Sequence, residues 1–155
     1  MLQARVGQLE EEVLDKILAD AFYWLVNTFG DRSIELNKTP AARRNEFIRH
    51  YFSKCQLHLV WDYNPHNLPW YYEGQYGQYN VGQNQLVLHA DKRETLEWVL
   101  DGLFHEYKHS QQSMYLYSYL KVGYEDHPLE IEAQEFAKEQ IPIFWKYYSE
   151  KVASK

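Results

Sequence analysis

Residues 86–112, LVLHADKRETLEWVLDGLFHEYKHSQQ, pass from a short apolar run into a longer pattern of helical spacing, and the reading of that passage decides the fold. The opening QLVLHA, residues 85 to 90, suits a strand. Asp91-Lys-Arg-Glu94 then has the form of a capping box, with a carboxylate at each end of a four-residue turn. Leu96, Val99, Leu100, Leu103, Phe104 and Tyr107 follow at intervals of three and four, the stripe of an amphipathic helix. His105-Glu-Tyr-Lys-His109 is therefore expected on a helix of several turns. There His105 and His109, four positions apart, lie on one face and can offer ring nitrogens to one metal at about 2.0–2.1 Å. Glu106 is rotated by about 100° from His105, a poor position for a ligand and a good one for a general base.

Trp98, Gly102 and Gln112 continue the histidine face. A glycine in mid-helix costs on the order of 1 kcal/mol against alanine. Gly102 therefore calls for a close neighbour, either a passing backbone such as an edge strand or substrate, or a closely packed helix.

Cys55 is the sole cysteine, which excludes an intrachain disulfide and a thiolate zinc site and leaves histidine and carboxylate as ligands. A catalytic zinc site needs three protein ligands and one open position. Glu125, Asp126, His127, Glu130, Glu132 and Glu135 are the downstream candidates, and the helical wheel leaves both Glu130 and Glu132 able to look inward.

Upstream, Val6, Leu9, Val13, Ile17, Leu18, Ala21, Leu25 and Phe29 predict one long helix stopped by Gly30. Thr39-Pro40 predicts the start of a second helix that fades near Cys55. QLHLVWD, residues 56 to 62, alternates as a strand does, and Gly82-Gln-Asn84 separates QYNV from QLVLHA as a hairpin connection would. The aromatic run Pro69-Trp-Tyr-Tyr72 reads as a loop packed on the core, with a lid or recognition surface near the cleft as the alternative. Downstream, His127-Pro128 marks a further helix start, with an end expected near Pro142 and a last aromatic-rich helical segment beyond. The expected architecture is α+β, mostly helical, with a small mostly antiparallel sheet packed on the HExxH helix.

At 155 residues, with 45% hydrophobic and 25% charged side chains, the chain is expected to form a single globular domain over residues 1–155. In it, residues 1–55 supply the N-terminal helices and 85–140 the metal-site core. The net charge of −6 speaks against nucleic acid as a partner, because phosphate contact needs a surplus of Lys and Arg. No apolar run of membrane length and no signal-peptide core is found, so a cytoplasmic protein without a membrane partner is expected.

The stretch 86–112, followed by His127-Pro-Leu-Glu-Ile-Glu-Ala-Gln-Glu-Phe-Ala137, resembles short metallopeptidases of the gluzincin type, ImmA/IrrE-like domains among them. The resemblance covers roughly residues 85 to 140. It implies a zincin-like frame, Zn²⁺ as cofactor, a peptide or protein substrate, and Glu132, in its Glu-Ala-x-x-Phe-Ala context, as third ligand beside His105 and His109. It also implies QLVLHA as the edge on which an extended substrate lies, so that Leu86 and Leu88 border it, while Trp98 walls the cleft. Glu106 would act as the catalytic base. The metzincin pattern is excluded, since Gln112 and Tyr115 stand where a glycine and a third histidine would be. Tyr115, Tyr117, Tyr124 and His127 are open as oxyanion stabilisers. The alternative to a peptidase is a metal-binding, catalytically silent relative that serves protein interaction or structure.

Overall fold

The computed structural model describes residues 1–31, 56–68, 75–80, 83–112 and 126–154. Helix α1 is Glu11–Phe29, strands β1, β2 and β3 are His58–Asp62, Gly77–Asn80 and Gln85–His89, and helices α2 and α3 are Leu96–Ser110 and Pro128–Ala153. The architecture is α+β. No helix among the described residues is long and apolar enough to cross a membrane. The helix expected after Thr39-Pro40 and the aromatic run at 69–72 lie outside the described residues.

Helix α1 buries Ile17, Leu18, Ala21 and Leu25 of the predicted stripe, together with Leu14, while Val13 and Phe29 of that stripe are exposed, and it ends at Gly30 with φ 96°. It begins later than the periodicity of Val6 and Leu9 suggests. The preceding amides are committed elsewhere: Val6 N–H donates to Glu94 O and Gly7 N–H to Lys92 O, while Leu96 N–H and Glu97 N–H donate back to Ala4 O and Leu2 O, all within 2.8–2.9 Å. This pairing ties the N-terminus to the entrance of α2, and it also moves the start of that helix. Asp91 does not cap α2; its carboxylate holds the Arg93 guanidinium and backbone amide. Thr95 is the cap, its Oγ1 accepting from Trp98 N–H at 3.1 Å.

Helix α3 starts where expected, His127 Nδ1 accepting from Leu129 N–H with Pro128 at the first position. It does not stop near Pro142 but runs through it. An interior proline costs about 3 kcal/mol. Tertiary burial offsets it: Ile141, Phe144 and Tyr148 are buried on either side of the proline, and each large apolar side chain so buried contributes roughly 1.5–3 kcal/mol. Phe144 stands 5.9 Å from Phe104 and 5.7 Å from Trp24, ring centroid to centroid, so one aromatic cluster joins all three helices.

The sheet has the order β1-β3-β2. The hairpin is present, with β2 antiparallel to β3 and Asn84 in the left-handed region at φ 48°, but β1 runs parallel to β3. The sheet is thus mixed, not mostly antiparallel. The segment between β1 and β2 is long enough to let β1 join either edge of the hairpin in either sense, so local patterning does not fix the pairing. As the central strand, β3 is buried at Leu86, Val87, Leu88 and His89, and it cannot be the edge on which a substrate would lie.

Gly102 has its close neighbour. A Cβ there would stand 3.0 Å from Tyr76 Cγ and 3.1 Å from Tyr76 O, so the backbone leading into β2 crosses α2 one turn before the first histidine. Gly102→Ala should destabilise the fold: overpacking costs about 1–3 kcal/mol and the gain in helix propensity returns only about 1. A lower urea midpoint with unchanged slope is the expected result.

Candidate metal centre

Both histidines of HEYKH point inward from α2, His105 at 1% and His109 at 6% relative exposure, with Glu106 beside them at 8%. The ligating atoms of His105, Glu106 and His109 all lie within 4.8 Å of one another, a group that could hold a metal ion. The two Nε2 atoms face each other at 3.0 Å.

The carboxylate that meets them is Glu130. Its Oε1 is 2.5 Å from His105 Nε2 and its Oε2 is 3.1 Å from His109 Nε2, and the side chain is 2% exposed. Glu132, the ligand implied by resemblance, is 54% exposed at its side chain and takes contacts from Lys108 Nζ at 3.5 Å and Gln112 Nε2 at 3.2 Å. The helix geometry explains the difference. Glu130 shares its face with the buried Ala133, Ala137, Ile141 and Phe144, and a step of two residues turns Glu132 by about 200° from it.

Gln112 completes the surroundings of His109. Its Nε2 donates to Leu129 O at 2.9 Å and to Glu132 Oε1, which leaves Oε1 facing His109 Nδ1 at 2.7 Å. The Nδ1–H of His109 must then donate to that oxygen. A histidine that gives one ring N–H to an amide oxygen and turns its other nitrogen toward a carboxylate and a second imidazole has the arrangement of a metal ligand. The donor set, two imidazoles and a carboxylate, suits zinc among several divalent ions.

The electrostatics follow from burial and these contacts. Burial lifts Glu106 above the usual carboxylate range; the two histidines and a hydrogen bond from the Tyr79 backbone amide only partly oppose it. For Glu130, burial pulls upward, but hydrogen bonds from His105 and His109 win and hold it well below 4.5. For His109, burial pulls downward, yet the Glu130 hydrogen bond and the Glu106 charge raise it above 6.5. In metal-free protein, the stability due to Glu130 is therefore present above pH 4.5 and lost as pH falls through its depressed pKa. That due to His109 is present below pH 6.5 and lost as pH rises through its raised one. Chelated protein should thus draw most from this pair between pH 4.5 and 6.5, as urea midpoints across pH would show, and Glu130→Gln should flatten that profile.

Strand β2 forms part of the site, upstream of the metal-site core expected over residues 85–140. Gly77 packs on Glu106, a Cβ there falling 3.4 Å from Glu106 Cγ and 2.8 Å from Val87 O. Tyr76 stands between the rings of Trp98 and His105, at 5.3 and 5.6 Å. Leu86 and Leu88 are 1% exposed, their side chains in the hydrophobic core and not at a substrate surface. Trp98 lines a groove with Leu2, Ile141, Pro142 and Trp145. His127 caps α3, and Tyr115, Tyr117, Tyr124 and Glu125 lie outside the described residues.

Gln112 and Glu130 carried a signal in the sequence. Gln112 continues the spacing of the histidine face, and Glu130 is the acidic residue in the first turn after the His127 cap, where the helix dipole favours an anion. Comparison with protein-family models, with curated proteins and with solved structures gave no match. What stands is an α+β chain with a buried His-Glu-His cluster able to hold a metal ion.

Proposed function

We propose that this chain is a zinc-dependent peptidase of gluzincin type, with His105, His109 and Glu130 holding the metal and Glu106 as general base. The observation that carries the reading is the pairing of two buried carboxylates of opposite character. Glu130 meets both imidazoles and is held ionised, as a ligand must be, whereas Glu106 sits beside them with its proton affinity raised by burial. Helices that bear HExxH for solubility alone have no need of either.

When bound, the metal would supply Lewis-acid polarisation of a carbonyl and acidify a water molecule. The protein's own part is proton transfer and placement. Glu106 takes a proton from the attacking water and returns it to the leaving amine, and its raised pKa brings it nearer to the operating pH, where such a base works best. The Tyr79 amide hydrogen bond and the Gly77 contact fix the direction in which that carboxylate can act. An extended peptide would align on the outer side of β2, the strand nearest Glu106, since β3 is flanked on both sides. The test is release of new amino termini from an unstructured protein incubated with the zinc-loaded chain. Cleavage that a chelator stops and zinc restores supports the proposal; zinc-loaded protein that cleaves nothing in acid, neutral or alkaline buffer counts against it.

A further inference from the structure

We infer that Gln112 is a positioning residue that fixes the tautomer of His109, and that Glu132 and Lys108 serve this role by holding Gln112. The inference rests on the metal-site reading above and extends it to residues outside the ligand set. An imidazole four residues along a helix from another could carry its proton on either nitrogen. Only the form protonated at Nδ1 leaves the Nε2 lone pair facing His105 and Glu130.

The side-chain amide of Gln112 makes that choice because it cannot turn over. Its NH₂ group has two acceptors, Leu129 O at 2.9 Å and Glu132 Oε1 at 3.2 Å. A flipped amide would set its oxygen against both of those oxygens and its NH₂ against the His109 ring. With the amide fixed, Oε1 at 2.7 Å accepts only from a protonated Nδ1. Glu132 is kept in place by Lys108 Nζ at 3.5 Å, so the chain of contacts runs from an exposed ion pair to a buried ring nitrogen. Gln112 itself is 8% exposed, which keeps water from replacing its contact. The same network links the end of α2 to the first turn of α3, the two helices that carry the histidines and Glu130.

Two readouts separate this from a packing role. The first is the nitrogen-15 NMR spectrum of histidine-labelled, zinc-loaded protein, read on the two ring nitrogens of His109. The expected result is a proton at Nδ1 and the metal at Nε2; a His109 ring that binds zinc through Nδ1 and keeps its proton at Nε2 would overturn the inference without any variant. The second is zinc affinity measured against a competing chelator. Gln112→Met, close in size but without the amide oxygen, should weaken zinc binding by about 10–100-fold, the usual effect of losing such a partner. Glu132→Gln, which keeps an acceptor for the Gln112 NH₂, should leave the zinc affinity close to that of the parent. A folded Gln112→Met protein that keeps the parental affinity would contradict it. Should the unaltered chain bind no zinc, the metal reading and this inference fall together; zinc bound to His109 through Nδ1 overturns the inference alone.

Discussion

Glu106→Gln should leave zinc binding intact and lower peptide hydrolysis by about 10²–10⁴-fold, the range a positioned general base contributes. The substitution is nearly isosteric, so the packing of Gly77 on the Glu106 side chain survives it. An amide still fits the buried, partly desolvated position, and removing a carboxylate with a raised pKa relieves a burial cost. The variant should therefore be at least as stable as the parent. Loss of activity with metal content and melting behaviour preserved would place Glu106 at the proton transfer. A variant that hydrolyses peptide at the parental rate would remove it from the chemistry.

The second large effect separates two glutamates two positions apart. Glu130→Ala should abolish stoichiometric zinc binding, lowering affinity by more than about 100-fold, because partners outside the ligand set already cost roughly 10–100-fold when lost. It also leaves two buried imidazoles facing each other at 3.0 Å without their counter-charge, so the metal-free protein should lose stability as well. Glu132→Ala should behave differently. Its carboxylate is more than half exposed and touches Lys108 and the Gln112 amide, so zinc stays bound, with at most the modest weakening that comes from loosening Gln112. Equilibrium dialysis of the two variants side by side distinguishes the assignments. The reverse pattern, with Glu132→Ala metal-free and Glu130→Ala loaded, would restore Glu132 as the ligand.

Much of this arrangement is legible in the residues. The apolar stripe of α2 places HEYKH on a helix and both histidines on one face, and the His127-Pro128 cap places the start of α3 correctly. Gly102 announces a close neighbour before that neighbour is known, because a mid-helix glycine has a cost that local sequence does not repay. The identity of the third carboxylate is not fixed in the same way. Periodicity gives the phase of a helix relative to its own apolar stripe, and Glu130 and Glu132 flank that stripe. Which margin turns toward α2 depends on how the helices pack, here through Ala133, Ala137 and Phe144 against the aromatic cluster. The pairing of β1 with β3 depends likewise on a contact distant in sequence. Helix boundaries move for a further reason: Val6 and Gly7 carry a plausible helical pattern, but their amides donate to Glu94 and Lys92, distant in sequence, and the Ala4 and Leu2 carbonyls accept from Leu96 and Glu97.

The central claim is that the buried cluster of α2 and α3 binds a metal. Elemental analysis of untagged protein, purified without chelator and reconstituted with zinc, tests it most directly when run beside His105→Ala. About one zinc per chain in the parent, lost in the variant, is the predicted result. Parent protein that remains free of zinc after reconstitution, or a His105→Ala protein that retains the same content, would contradict the account.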